Sequence, residues 1–240
     1  MSNTTLSYQK TRSLTGSKKN LFKKRFSDPN EAFYFDSQVI NDNIVAKKEY
    51  NNWIDKFEST GNDYVYMFMS CLFYSKSKTL SHLRESITYY KDAILTILNT
   101  KEQQLIAMKA ISDVWGHCNV YFTFIFDLML KFSFIDCLVA VRWIFDKLAQ
   151  DPSLVTLNYA YFELINITVS HCSNSICRIQ KELSKEQENL AKSEEGFQTS
   201  IIKNIEIYEE TLEKYFEIEK KVYHEVVFVE FFFNFRNLLL

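Results

Sequence analysis

Apolar side chains recur at steps of three and four residues along most of the chain from Asn62 onward. This spacing places them on one face of an α-helix and leaves charged residues on the opposite face. Three successive stripes result, at Leu80, Leu83, Ile87, Tyr90, Ile94 and Ile97; at Leu105, Met108, Ile111 and Trp115; and at Cys118, Tyr121, Ile125, Leu128, Phe132 and Ile135. Because Phe122, Phe126 and Met129 widen the third stripe, we expect that helix to be buried on most sides. The pattern predicts an all-α fold.

Short polar or glycine-containing stretches mark where these helices should end. Gly116 permits a break or close packing after the second stripe. Residues 133–136 offer a boundary after the third stripe, where Asp136 can serve as the N-cap or first-turn residue of the next helix. Asp151-Pro152 should end that helix, because proline disfavours the helical conformation of the residue before it.

A long helix is predicted from about residue 154 to about residue 191, with an apolar first half and a charged second half. The tripeptide Glu194-Glu195-Gly196 interrupts the pattern, which resumes over residues 197–216. Two charged helices with narrow apolar stripes and a short turn between them favour an antiparallel helical hairpin over about 176–216. Such a hairpin can project from its domain, because each arm buries its stripe against the other.

The scarcity of turn residues supports long helices. Only four Gly and two Pro occur in 240 residues, far fewer than a β-rich or α/β protein would need. We therefore predict a helical-hairpin repeat, or α-solenoid, that includes a long charged antiparallel helical hairpin. We expect three parts: a basic, disordered arm at 1–30, a partly helical segment at 31–61, and a helical-repeat domain at 62–240 that ends in an apolar helix.

The first 30 residues carry seven Lys or Arg against one acid, Asp28. A basic arm can contact nucleic acid or serve as a nuclear address, and it can equally be a solvated tail. The candidate basic patch consists of Lys18, Lys19, Lys23, Lys24 and Arg25.

The C-terminal segment 226–240 is apolar apart from Glu230 and Arg236. It is too short and too interrupted to span a membrane, which takes about 20 apolar residues in a helix. We expect this segment to be covered either by the core of its own domain or by elements absent from this chain. The sequence therefore predicts no membrane partner.

No constellation of residues indicates catalysis. The Asp136-Cys137 step has no neighbouring base, and the negative charge of the aspartate should raise the pKa of the thiol. His117-Cys118 and His171-Cys172 with Cys177 have the wrong spacing for a zinc site. Most acids lie three or four residues from a Lys on helix faces, and the isolated Gly residues form no phosphate-binding loop. We predict no catalytic, metal or cofactor site, and hence no enzyme.

Several short motifs follow one another in an order that is more specific than any one of them. In chain order they are residues 76–82, Val114-Trp115, Asp127-Leu128-Met129, Ile135-Asp136-Cys137, Trp143-Ile144-Phe145, Phe162-Glu163-Leu164 and residues 179–183. This order resembles the large-subunit family of the nuclear cap-binding complex. The similarity lies in the last of that family's three helical-repeat domains, each of which is related to the middle domain of translation initiation factor 4G. It covers about residues 64–192 in register.

The resemblance implies a non-catalytic scaffold in the nucleus that can shuttle to the cytoplasm. In that family the large subunit holds a small subunit with an RNA-recognition motif, which binds the 5′ cap of RNA polymerase II transcripts. Capped RNA would be contacted only through that partner, with roles in mRNA processing, splicing, export and nonsense-mediated decay. The family-marker positions would then be structural, as helix starts and core anchors: Trp115, Asp127, Asp136, Cys137, Trp143, Phe145 and Glu163.

The chain departs from that family in its extent. The family's subunit has two further domains before the matching one and several helices after it, which we do not find in these 240 residues. A fragment, a truncated gene product and a reduced relative all fit this difference. In the family, the second and third domains together contact the small subunit, so a third domain alone should bind it weakly or not at all. A second hypothesis is a generic helical or coiled-coil interaction scaffold without a cap-related function, which would self-associate through the 176–216 hairpin.

Overall fold

The computed structural model describes residues 34–46, 61–75, 79–151, 159–192 and 198–238, with side chains except at 34–38, 75 and 228–238. Within these ranges the chain forms nine α-helices and no strand, so the all-α prediction is confirmed. The helices are α1 Tyr34–Val45, α2 Gly61–Ser75, α3 Leu80–Tyr89, α4 Lys91–Ile97, α5 Lys101–Trp115, α6 Asn119–Lys131, α7 Cys137–Gln150, α8 Ala160–Lys192 and α9 Gln198–Leu238.

The chain divides into two units, residues 1–125 and 126–240, with the boundary inside α6. Several predicted features lie outside the described residues: the basic arm at 1–30, the turn at 194–196 and the side chains at 228–240. Helix α7 ends at Gln150 with Asp151 as its C-cap, so the helix end predicted at Asp151-Pro152 is confirmed. Helix α1 lies in the segment for which the sequence predicts only partial helix, and its Ile40 and Ile44 are fully buried.

Helix α2 is the central helix of the first unit and packs against α1, α3 and α5. Nearly every side chain from Tyr64 to Phe73 is buried, because α2 is apolar around its whole circumference. Hydrogen bonds also join α2 to α5. The hydroxyl of Tyr66 donates to Oδ2 of Asp113 at 2.8 Å, and the indole Nε1–H of Trp115 donates to the Phe73 carbonyl oxygen at 3.1 Å.

The first apolar stripe is divided between two helices. Helix α3 starts after Thr79, whose side chain accepts a hydrogen bond from the backbone N–H of His82. Tyr90 leaves the helical conformation, with φ −95° and ψ 18°, before α4 begins. The buried stripe continues across this break, at Leu83, Ile87, Tyr90, Ile94 and Ile97. The predicted buried face is confirmed, whereas the apolar spacing does not indicate the break.

The break predicted at Gly116 is confirmed. Helix α5 begins with a capping box between Thr100 and Gln103 and ends at Trp115. The N–H of Gly116 donates to the carbonyl oxygen of Ser112 at 2.8 Å, and a Cβ at position 116 would lie 2.5 Å from the same oxygen. Glycine therefore permits a close backbone approach that any side chain would obstruct.

Several stripe positions differ from the prediction. Leu105 is 39% exposed on the surface of α5, and Cys118, Phe132 and Ile135 lie outside the ends of α6. Phe122, Phe126 and Met129, which widen the stripe, are buried as deeply as Ile125 within it. Helix α6 is therefore buried over a wide face, as the widened stripe predicts.

A tight turn connects α6 to α7, as predicted for residues 133–136. Ser133 has a positive φ of 58°. Its N–H donates to the Leu130 carbonyl oxygen, and the N–H of Phe134 donates to that of Met129, both at 2.9 Å. This pair of bonds forms a Schellman motif, which satisfies the last carbonyl groups of a helix. Phe134 and Met129 are both buried, as is usual beside this motif.

In the second unit, α7, α8 and α9 pack against one another. The buried residues of α8 form a narrow stripe, at Ala160, Tyr161, Leu164, Thr168, Cys172, Ser175, Ile176 and Ile179. The hydroxyl of Ser173 in α8 donates to Oε1 of Glu219 in α9 at 2.7 Å. Residues 193–197 connect the two helices. Ser173 lies about five turns before this connection, and Glu219 lies about six turns after it. Since these two residues contact each other, the helices run antiparallel.

Candidate functional site

The Asp136-Cys137 step stands where α7 begins. Asp136 occupies the N-cap position with extended backbone, at φ −72° and ψ 138°, and its carbonyl oxygen accepts from the Ala140 N–H at 2.9 Å. The exposed carboxylate makes no capping hydrogen bond. The predicted helix start is therefore confirmed, and the carboxylate acts on the helix N-terminus through its charge.

Cys137 is the first residue of α7, and it is buried. A hydrogen bond between its thiol and Cys172 of α8 raises the pKa of Cys137, and burial and the negative charge of Asp136 raise it further. The thiol is therefore protonated at neutral pH, and a protonated thiol is a poor nucleophile. The predicted influence of Asp136 on this pKa is confirmed. The two cysteines form a packing contact between α7 and α8.

Trp143 also joins α7 to α8. Its side chain is 6% exposed and stacks on Tyr161, with ring centroids 6.3 Å apart and an interplanar angle of 25°. The Lys147 ammonium lies 5.9 Å from the centroid of the Trp143 ring, in cation–π geometry. Phe145, two residues further along α7, is only half-buried. Trp143 is thus the main aromatic anchor between the two helices.

Trp115 anchors the end of α5 within the first unit. The ring stacks on Tyr121, with centroids 4.2 Å apart and an interplanar angle of 11°, and His117 lies nearly parallel at 6.0 Å. Only 1% of the Trp115 side chain is exposed. The indole N–H is hydrogen-bonded to the Phe73 carbonyl, and the rest of the ring is buried.

The remaining marker residues are acidic. Asp127 accepts a hydrogen bond from the Lys131 ammonium at 2.6 Å, one helical turn away in α6. Glu163 is half-buried in the first turn of α8, where a negative charge is favourable near the positive end of the helix dipole. The candidate basic patch from Lys18 to Arg25 lies outside the described residues.

The predicted positions belong to different helix contacts. Cys137 and Trp143 join α7 to α8, whereas Trp115 joins α5 to α2. Throughout the described ranges, no three His, Cys, Asp or Glu side chains are placed to hold a metal ion. No helix in the part of the chain with assigned structure is long and apolar enough to cross a membrane. Trp115, Cys137 and Trp143 are buried at contacts between helices.

Sequence reasoning missed the polar contacts that attach α9. Arg142 of α7 donates from Nε to Oε1 of Glu225 at 3.1 Å, across 83 positions of sequence. Ser173 and Glu219 make the second such contact. No local pattern marks these residues, since each partner resembles the many charged or polar residues on other helix surfaces. Together the two contacts fix α9 against both other helices of the second unit.

Comparison with known proteins points to one family. The family model described as MIF4G like matches residues 25–235. Nuclear cap-binding protein subunit 1 of Aedes aegypti is 25% identical over 143 residues, which cover 59% of this chain and 17% of that protein. Its counterpart in Homo sapiens is 23% identical over 127 residues, covering 52% and 16%. Subunit 1-B of Xenopus laevis is 24% identical over 127 residues, with the same coverage. The chain thus spans only 16–17% of the length of these relatives.

Proposed function

Because the chain belongs to the MIF4G-like family, we propose that it is a non-catalytic scaffold of the kind formed by the large subunit of the nuclear cap-binding complex. The extent of the family match, residues 25–235, is the observation that carries this proposal. Similarity to nuclear cap-binding protein subunit 1 from an insect and from vertebrates directs it to that complex. The burial of Trp115, Cys137 and Trp143 between helices supports a structural role for the marker positions.

The proposed scaffold holds a small cap-binding subunit that carries an RNA-recognition motif. That subunit binds the 5′ cap of RNA polymerase II transcripts, and the scaffold stabilises its cap-competent conformation. Scaffold binding and cap binding then favour each other, because both select the same conformation. Capped RNA is contacted only through the partner. The complex would reside in the nucleus, shuttle to the cytoplasm, and act in mRNA processing, splicing, export and nonsense-mediated decay.

Contacts between α7, α8 and α9 support such a role for the second unit. Stacking of Trp143 on Tyr161 fixes α7 to α8, and the bonds made by Arg142 and Ser173 fix α9 to both. Helices held by apolar and polar contacts together present outer faces of defined geometry. A partner that binds such a preorganised surface loses less conformational entropy than one that must order it.

Cap-analogue affinity with and without the chain tests the proposal. We expect the small subunit to bind a methylated cap analogue roughly 5–150-fold more tightly when the chain is present, the usual range for coupled sites. We also expect the chain to be retained on cap-analogue resin only together with the small subunit. Controls are each protein alone and elution with unmethylated GTP. Unchanged cap affinity, with separate elution of the two proteins in gel filtration, would reject the proposal.

The generic-scaffold hypothesis makes a different prediction, namely self-association through Leu183, Ile205 and Leu212. These side chains are half-buried, and they lie on the two helices that pack against each other as α8 and α9. The stripe is therefore engaged within the chain. A sedimentation coefficient that does not change with concentration would agree with the partner-binding proposal. A dimer that Leu212→Lys dissociates would favour the generic scaffold.

A further inference from the structure

Helix α9 carries two rows of residues at alternating steps of four and three. The inner row is half-buried on the side that faces α7 and α8, and it includes Ile201, Ile205, Tyr208, Leu212 and Tyr215. The outer row, which we term the outer seam, consists of Ile202, Glu206, Glu209, Glu213 and Phe216. At 3.6 residues per turn, the outer seam occupies about 80° of the helix circumference. A helix with two such rows can pack against neighbours on both sides.

Every residue of the outer seam is exposed. Ile202 and Phe216, which begin and end it, are each 44% exposed. Three carboxylates stand between these apolar side chains, and no cation lies within the seam. The seam is therefore an acidic strip between two apolar anchors, which lie about 21 Å apart at 1.5 Å per residue.

The carboxylates of the outer seam differ from their neighbours on α9. Glu210 pairs with Lys214, and Glu217 pairs with Lys220. No described cation pairs with Glu206, Glu209 or Glu213. Since like charges three or four residues apart destabilise a helix, these three carboxylates oppose the folding of α9. A cationic partner that binds along the seam would remove this repulsion.

The outer seam of a second copy does not fit the outer seam of the first. In a parallel pair each of the three carboxylates would face its own copy, and in an antiparallel pair Glu209 would face Glu209 while Glu206 faced Glu213. Either arrangement opposes like charges along the whole acidic strip, and like charges suppress association. RNA and anionic membranes are repelled for the same reason. The charge favours a basic protein segment.

We propose that the outer seam docks a basic helical segment of a partner protein. Two apolar side chains of that segment pack on Ile202 and Phe216, and Lys or Arg residues between them face Glu206, Glu209 and Glu213. In this arrangement one helix packs along another, with apolar anchors for affinity and charges for register. The proposal depends only on α9, so it stands or falls separately from the cap-binding role.

The test uses two synthetic helical peptides of about 20 residues, long enough to cover the seam. Both carry Leu at the two anchor positions, and three seam positions between them are Lys in one peptide and Glu in the other. Fluorescence anisotropy with the full chain measures binding at low and high salt. We expect the Lys peptide to bind more than about tenfold more tightly, with an advantage that shrinks as salt screens the charges.

Two triple variants with equal charge changes localise the site. The seam variant is Glu206→Gln, Glu209→Gln and Glu213→Gln, and the control variant is Glu188→Gln, Glu210→Gln and Glu217→Gln, all at exposed positions. We expect the seam variant to weaken Lys-peptide binding about tenfold and the control variant less than about twofold. Circular dichroism verifies that both variants keep their helix content.

Three outcomes would overturn the proposal. The first is equal affinity for the Lys and Glu peptides, which would show that the seam charges do not select the partner. The second is an equal loss of binding in both triple variants, which would indicate a diffuse charge effect. The third is a homodimer that the seam variant abolishes, because the occupant would then be a second copy of this chain.

Discussion

Replacing Trp143 with Ala tests whether this residue anchors α7 to α8. The indole is 6% exposed and stacks on Tyr161 at 6.3 Å. Truncation leaves a cavity between the two helices, and it removes the ring beneath the Lys147 ammonium. We therefore expect a large loss of stability in the second unit.

The magnitude follows from the area removed from water. A buried Trp covers roughly 200 Å², which at about 25 cal/mol per Å² corresponds to about 5 kcal/mol. The retained Cβ and partial closure of the cavity reduce this figure, and measured truncations of buried Phe and Trp fall at about 3–5 kcal/mol. We expect Trp143→Ala to lower the free energy of unfolding by about 4 kcal/mol. For a chain of this size, the midpoint of thermal unfolding should fall by roughly 10 °C.

Denaturant unfolding followed by circular dichroism measures the loss. Tyr159→Ala is a matched control, since Tyr159 is an aromatic residue beside the start of α8 that is 74% exposed. Surface substitutions of this kind change stability by about 0.5 kcal/mol or less. If Trp143→Ala lost no more stability than Tyr159→Ala, Trp143 would not be a core anchor.

Three further substitutions test local features of the fold. Ser133→Gly should stabilise the protein by about 0.5–1 kcal/mol in denaturant unfolding, because it relieves the left-handed backbone strain of an L-residue, while Ser184→Gly in the exposed interior of α8 should destabilise it. A loss of stability in Ser133→Gly would contradict that account. Gly116→Ala should cost about 1–3 kcal/mol, since its Cβ would lie 2.5 Å from a backbone oxygen, and an unchanged unfolding midpoint would show that the turn can relax. Burial raises the pKa of Cys71 from 9.0 to about 12, so the thiol stays protonated in the folded chain while the unfolded chain ionises. Stability should therefore fall as pH rises from 9.0 toward 12, and less steeply in Cys71→Ala; identical slopes would refute the assignment.

The helices could be predicted from the sequence because the side chains that a helix buries recur every three to four residues along the chain. The stripe through Leu83, Ile87 and Ile94 is buried as expected, and Gly116 and Ser133 stand at real helix ends. The break at Tyr90 could not be predicted, since an apolar residue occurs there at the expected step and continues the stripe into α4.

Which individual residues of each helix become buried was less predictable. Leu105 lies in register with Met108 and Ile111, yet it remains 39% exposed, whereas Phe122 is fully buried, as the widened third stripe predicts. Neighbouring positions on a helix differ by about 100°, so small rotations set by the tertiary packing decide between them. Apolar periodicity locates a helix face, but not to within the 100° that separates neighbouring positions.

The packing site was predictable in part. The burial of Cys137 and the effect of Asp136 on its pKa both depend on residues that are adjacent in the sequence, so both could be predicted. The partners Cys172 and Tyr161 lie on another helix, and only the tertiary fold brings them to α7. For the same reason, no local sequence pattern predicts the hydrogen bond between Arg142 and Glu225.

The hydrogen bond from Trp115 to the Phe73 carbonyl has a consequence for the order of folding. The last turn of any helix leaves four carbonyl oxygens without partners in the helix, and Phe73 belongs to that turn of α2. Its oxygen is satisfied by an indole 42 residues further along the chain. The end of α2 is thus completed by tertiary structure, and we expect it to fray until α5 has docked. We therefore expect the last turn of α2 and its packing against α5 to form together.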